Sequence, residues 1–204
     1  MRIGIDFDNT LVTYDDVFSA AAARFADIAP GVGRGKREIR DYLRTLPDGE
    51  LAWQRLQGYV YGKGIAGAQM FDGADAFLRR CHDEAAEVVI VSHKTEFGHH
   101  DPDRVNLRDA ARGWMTAKGF FAKNGYAIPA DNLFFEATRA EKLRRIAMLD
   151  CRCFIDDLEE VLDDPDFPPG VTRILFSQAE LAAHTPAYAV CRSWSDIEKL
   201  VFRD

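Results

Sequence analysis

The chain opens on a short apolar run, Met1 to Phe7 (MRIGIDF), that closes in an acidic pentapeptide, Asp6, Phe7, Asp8, Asn9 and Thr10. A run this short and this rich in Ile and Phe reads as a β-strand buried on both faces, the kind found in parallel sheets of α/β proteins. In such folds ligands bind beyond the carboxyl ends of the strands, so the two carboxylates fall where the chemistry is kept. Residues i and i+2 of an extended chain share a face. Asp6 and Asp8 would then project together, and two like charges so close require a cation or a shared proton. Asp, Asn and Thr are also the usual capping residues, so the pentapeptide alone reads equally well as a helix cap or turn.

Further along, Asp156 and Asp157 follow Cys153, Phe154 and Ile155 and put a second acidic pair at the end of an apolar strand. Val88 to Val91 form a third strand, which ends on Ser92, His93, Lys94 and Thr95, a hydroxyl and cation cluster suited to an anion. Lys142 lies in a helical stretch, Glu141 to Leu149, shortly before the second acidic pair. In this order the four blocks DFDNT, VIVS, Lys142 and FIDD resemble the haloacid dehalogenase superfamily of phosphotransferases. They frame most of the chain, although the roughly sixty residues after the first block match nothing specific.

The resemblance implies a Rossmann-like parallel sheet with helices on both faces, and a Mg²⁺-dependent phosphatase acting on a small phosphorylated metabolite. Asp6 would be the nucleophile, forming an aspartyl phosphate, and Asp8 would protonate the leaving alkoxide and then activate water. Mg²⁺, a hard cation that takes oxygen ligands, would bind an Asp6 oxygen, the main-chain carbonyl of Asp8 and the Asp156 carboxylate. Asp157 would hold a metal-bound water or orient its neighbours. The Ser92 hydroxyl and the backbone amide of His93 would bind the transferring phosphoryl group, and Lys142 would offset its charge. Lys94, two residues past Ser92, is the rival for that last role. Thr10 is expected to hydrogen-bond within the first motif.

Between the blocks, Val17, Ala21, Phe25 and Ile28 recur at helical spacing, so a helix is expected from Val17 to Ile28, stopped by Pro30 and Gly31. Further helices are expected over Lys36 to Arg44, Leu51 to Val60 and Phe71 to Arg80. These assign residues 15–70 to a small helical cap inserted into a core made of 1–14 and 71–204, joined by two short linkers. Such inserts close over the site and select the substrate in the resembled superfamily. Trp53, Arg55, Tyr59, Tyr61 and Lys63 could line this lid, or be its packing and rim. Beyond Ser92 come a helix from Arg104 to Lys118, a strand at Leu133 to Glu136, strands at Val171 to Phe176 and Tyr188 to Cys191, and a helix at Ala179 to Ala183. Glu159 and Glu160 suit the acidic first turn of a helix.

With 204 residues and 47% hydrophobic content, the chain can bury one sizeable core and a small appendage. A formal net charge of −7 with no long basic block argues against wrapping nucleic acid. Cys81, Cys151, Cys153 and Cys191 follow neither a zinc nor a disulfide pattern and read as reduced core residues. With a strand at the very start and no apolar stretch long enough to span a bilayer, a cytoplasmic location is expected. His99, His100 and Asp101 read as a polar loop, because adjacent histidines do not easily face one ion.

Other functions remain open at this stage. A metal-independent haloacid dehalogenase shares the N-terminal aspartate, but Asp8 and Asp156 count against it. A mutase would keep the same site. A phosphoaspartate switch would place its acidic pair on the first strand and the phosphorylated aspartate on a later one, and a non-catalytic binding protein could retain the fold.

Overall fold

The computed structural model describes residues 1–178 and 187–203. In chain order the elements are β1 (Arg2–Ile5), β2 (Val12–Thr13), α1 (Asp15–Ala21), α2 (Lys36–Leu43), α3 (Gly49–Tyr61), β3 (Gln69–Met70), α4 (Ala74–Asp83) and β4 (Glu87–His93). They continue as α5 (Leu107–Ala117), β5 (Leu133–Glu136), α6 (Arg139–Leu149), β6 (Cys153–Asp156), α7 (Glu159–Leu162), β7 (Thr172–Phe176), β8 (Ala189–Cys191) and α8 (Trp194–Val201). The helix expected at Ala179 to Ala183 lies outside the described residues. Two units emerge: one of Met1–Val12, Met70–Lys94 and the chain from Lys118 onward, the other of Thr13–Gln69 and Thr95–Ala117.

The first unit is built on a six-stranded sheet in the order β5-β4-β1-β6-β7-β8. All neighbouring pairs are parallel. Its central strands are apolar on both faces, as burial by helices on each side requires: Ile3, Ile5, Val89, Ile90, Val91, Phe154 and Ile155 are fully buried. On one face Val89, Val91, Phe154 and Leu175 pack with Leu143 and Ile146 of α6 and with Val161 and Leu162 of α7. On the other, Trp194 of α8 lies against Phe77 of α4 and Phe176 of β7, with ring centroids 5.0 and 5.8 Å away. Gly4 is obligatory in β1, because a Cβ there would run into the Phe154 ring. The sheet order matters most for function. β1 lies between β4 and β6, so the DFDNT, VIVS and FIDD blocks end side by side at the carboxyl edge.

The second unit is helical, and its extent differs from the expected insert. Besides 13–69 it takes in 95–117, so the chain passes between units four times rather than twice. Phe18 stacks on Trp53 at 5.2 Å, and Tyr61 meets Tyr14 edge-on at 4.8 Å. α5 joins this core through buried Trp114, whose indole N–H donates to Ala68 O at 3.1 Å. The loop before α5 is fastened by Asp101, which accepts from the amides of Asp103 and Val105 at 3.1 and 3.0 Å. Gly98 approaches Gly58 so closely that a Cβ on it would lie 2.7 Å from Gly58 Cα. The amphipathic pattern of α5 announces a helix but not which core it covers.

Two helix boundaries are corrected. α1 ends at Ala21 and tightens into a 3₁₀ turn, Ala22–Arg24, short of Ile28. There the chain turns onto Tyr59, with Arg24 Cζ 4.3 Å from its ring centroid and the Phe25 ring 5.9 Å away. α4 begins at Ala74 rather than Phe71, because Gly73 has φ +84° and cannot continue a right-handed helix. Phe71 instead packs edge-on against Phe176 at 4.9 Å. The four cysteines are free and buried, and burial pushes the Cys81 and Cys153 thiols up to about 12. Among the described residues no helix is long and apolar enough to cross a membrane.

Candidate active site

Asp6 stands one residue past β1, its amide still bonded to Ile155 O at 2.9 Å. Beyond it the chain curls back: Leu11 and Val12 donate to Phe7 O at 3.1 and 3.2 Å, and Asn9 donates to Val12 O at 2.8 Å. Asn9 adopts φ 61°, a left-handed conformation that Asn tolerates better than most residues. The two carboxylates of the first block meet different lysines. Asp6 points into the buried ends of β1 and β6, whereas the Asp8 carboxylate meets Lys94, with Nζ 2.7 Å from Oδ2.

Lys142 reaches the site from the first turn of α6. That helix starts on a capping box in which Thr138 Oγ1 accepts from the Glu141 amide at 3.2 Å and Glu141 Oε2 accepts from the Thr138 amide at 3.0 Å. The box sets the first residue at Arg139, two before the expected Glu141, and delivers the Lys142 ammonium between Asp6 Oδ1 and Asp156 Oδ2, 2.6 Å from each. Asp156 Oδ1 accepts from the Leu158 amide at 3.0 Å. Thr10 Oγ1 lies 3.4 Å from Asp6 Oδ2 and 3.3 Å from Asp157 Oδ1, so one hydroxyl bridges the two acidic strand ends. Glu159 and Glu160 open α7 as its first turn.

Lys142, Asp6 and Asp156 are all but sealed from solvent. Burial pushes the Asp6 carboxyl up from the ordinary aspartate range to about 7; the Lys142 charge opposes this, while Asp156 and Asp8 add to it. Burial also works against the Lys142 ammonium, but attraction to Asp156 and Asp6 holds its pKa above the ordinary lysine value.

Carboxylate oxygens of Asp6, Asp156 and Asp157 all lie within 4.8 Å of one another, the one such cluster among the described residues. Of the residues expected to ligate a metal, Asp6 and Asp156 contribute side chains to it. Asp8, expected to ligate through its main-chain carbonyl, turns its carboxylate to Lys94. Asp157, expected only as a helper, lies within the cluster. Its position directly before Leu158, where the chain turns into α7, is the signal that could have marked it.

Ser92, at the end of β4, is fully buried, and among the described residues its Oγ has no hydrogen-bond partner. A buried hydroxyl left unpaired costs roughly 1–3 kcal/mol, which makes Ser92 a candidate to bind a ligand atom. The His93 ring is exposed, with its Nε2 3.0 Å from Ala137 O, just ahead of the capping box. His99 and His100 are exposed on the loop ahead of α5, outside the acidic cluster. In the second unit Trp53 is buried packing and Lys63 pairs with Asp103 at 2.6 Å, whereas exposed Arg55 lines a cavity of about 510 Å³ with Tyr42 and Leu46.

No family sequence model matches the chain, and no curated relative matches it. Solved structures do. A haloacid dehalogenase-like hydrolase from Streptococcus pneumoniae aligns over 98% of this chain and 97% of its own, with TM-score 0.63 and 15% identity. A predicted phosphatase from Clostridium acetobutylicum aligns over 100% and 98%, with TM-score 0.59 and 16% identity. A predicted phosphoglycolate phosphatase from Haemophilus somnus aligns over 98% and 96%, with TM-score 0.54 and 14% identity. At such low identity what is shared is the architecture, and along its length this chain has the α/β fold of the haloacid dehalogenase-like hydrolases.

Proposed function

We propose that this chain is a hydrolase of small phosphate monoesters that works through an aspartyl phosphate on Asp6 and requires a divalent cation, Mg²⁺. The observation that carries the reading is the Asp6 carboxylate itself, buried, held by Lys142 and clustered with Asp156 and Asp157. The donor set fits the ion. Three carboxylates so close leave negative charge that one lysine does not balance, and all the ligand atoms are the hard oxygens that Mg²⁺ takes. Asp6 and Asp156 would hold it, with Asp157 beside them, and bound there it would neutralise phosphoryl charge and favour ionised Asp6.

The residues divide the remaining work. Lys142 keeps Asp6 in place and lowers the cost of its ionisation, so the carboxylate is available as a nucleophile. The Ser92 hydroxyl, otherwise unpaired, donates to a phosphoryl oxygen and aligns phosphorus with Asp6. As the Asp6 oxygen bonds to phosphorus, the bond from phosphorus to the leaving oxygen breaks, that oxygen keeps the electron pair, and Asp8 gives it a proton. Asp8, now a carboxylate, then accepts a proton from water as the water oxygen attacks phosphorus, releasing phosphate and restoring Asp6. The predicted phosphatases among the structural relatives support the substrate class. The second unit would serve in substrate choice.

The test is phosphate release from a panel of phosphorylated metabolites with Mg²⁺ and with chelator. The reading expects turnover with Mg²⁺ and reversible loss with chelator; full activity in chelator would favour metal-free dehalogenase chemistry instead.

A further inference from the structure

The two buried lysines of the site have separate partners. Lys142 bonds Asp6 and Asp156, while Lys94 bonds Asp8. The Lys94–Asp8 pair is sequestered, with side chains only 3% and 17% exposed. Exposed ion pairs contribute little, whereas this pair is withdrawn from water, so its desolvation penalty must be offset by its geometry.

Both partners start from fixed backbone. Lys94 continues the line of β4 for one residue, its amide bonded to Glu136 O at 2.9 Å, and its Nζ lies 5.9 Å from the centroid of the buried Phe7 ring. Asp8 bridges to Val12 in the curl closed by Asn9. With both main chains tied, the adjustable part of Asp8 is its short side chain, and the Lys94 ammonium 2.7 Å from its Oδ2 is a contact that fixes its direction. A carboxyl delivering a proton must face the leaving oxygen, and misplacement by about 1 Å costs on the order of 10²-fold in rate.

We propose that Lys94 is a positioning residue that holds the Asp8 carboxyl toward the leaving oxygen of the substrate. The inference rests on the phosphatase reading above and deepens it. It separates Lys94 from Lys142, since the first acts on the proton donor and the second on the nucleophile.

The experiment compares wild type, Lys94→Met and Lys94→Arg by kcat/KM, which reports the steps up to the first irreversible one, formation of the aspartyl phosphate. Substrates are p-nitrophenyl phosphate and the alkyl phosphates of the panel, arranged by the pKa of the leaving alcohol. A nitrophenolate departs without a proton, whereas an alkoxide needs one from Asp8. Lys94→Met is expected to lose roughly 10–100-fold on alkyl phosphates and less than about 3-fold on the nitrophenyl ester, steepening the dependence on leaving-group pKa. Lys94→Arg, which keeps the charge, should recover most of the loss. Equal loss on every ester would mean that Lys94 contacts the phosphoryl group or only supports the fold, and would overturn the proposal, as would no loss at all. If Lys94→Met does not fold, Lys94→Gln and Lys94→Arg are read by the same slope. Absence of phosphate release by the wild type from any ester would instead remove the phosphatase reading, and this inference with it.

Discussion

Lys142 reaches Asp6 from 136 residues further along the chain, its Nζ 2.6 Å from Oδ1, and stands 2.6 Å from Oδ2 of Asp156 as well. One ammonium therefore ties the ends of two adjacent strands, β1 and β6, through groups almost wholly removed from solvent. Removing it leaves two buried carboxylates facing each other. Lys142→Met is expected to destabilise the metal-free protein by about 3–5 kcal/mol, the usual cost of breaking a buried pair. Added Mg²⁺ should recover part of this by occupying the carboxylates. Urea unfolding with and without Mg²⁺ measures both; unchanged stability of the variant would show that the pairing carries no weight.

A pH dependence follows from Asp6. Its carboxyl keeps a proton up to about 7 in the folded chain but releases it near 3.8 when unfolded. Between those values the folded state binds more protons, so this contribution to stability is complete below the lower value and is lost as pH rises through the upper one. The carboxyls of Glu50, Asp75, Glu87 and Glu141 are shifted downward by their hydrogen bonds, and their contributions fade on the acid side. From about pH 4.5 to 7 the metal-free protein should therefore lose stability relative to Asp6→Asn, and Mg²⁺ should flatten the difference. Melting curves in chelator that run parallel for the two proteins would contradict this.

Ser92→Ala separates binding from folding. Among the described residues the buried hydroxyl has no partner, so its removal should leave the free protein unchanged or stabilise it by about 1 kcal/mol. The same substitution should raise KM for phosphate esters and weaken inhibition by inorganic phosphate. A destabilised variant with unaltered KM would mean that Ser92 serves only the fold.

Much of this arrangement was legible in the sequence because strand ends carry their own signature. The apolar runs before Asp6, Ser92 and Asp156 mark buried strands, and a parallel sheet brings such ends to one edge. The side-chain partners were harder to read. The i, i+2 rule that joined Asp6 to Asp8 speaks of a shared face and not of partners: Asp8 pairs with Lys94, and it is Asp157 whose carboxylate clusters with Asp6 and Asp156. Lys142 was visible as a helix residue near the acidic pair, but only the capping box at Thr138 aims it. The second unit was half legible. Its helices follow the 3.6-residue period, but nothing in the pattern of Leu107–Ala117 says that Trp114 packs with Ala68.

The proposed cap function makes its own prediction. Arg55 is exposed, and it lines the cavity of about 510 Å³ formed within the second unit. Arg55→Ala should reorder the preferred phosphorylated metabolites while leaving hydrolysis of p-nitrophenyl phosphate within about 3-fold of wild type, as expected for a residue that acts in substrate choice and not on phosphorus. Equal loss on all substrates would remove Arg55 from substrate choice.

The central claim is that Asp6 attacks phosphorus. Phosphate release by wild type and by freshly prepared Asp6→Asn, its asparagine verified by mass, tests it most directly when both are assayed with Mg²⁺ on the best ester of the panel. The account predicts turnover by the wild type and a loss of several orders of magnitude in the variant, with the fold retained. Near-wild-type release by Asp6→Asn would contradict it.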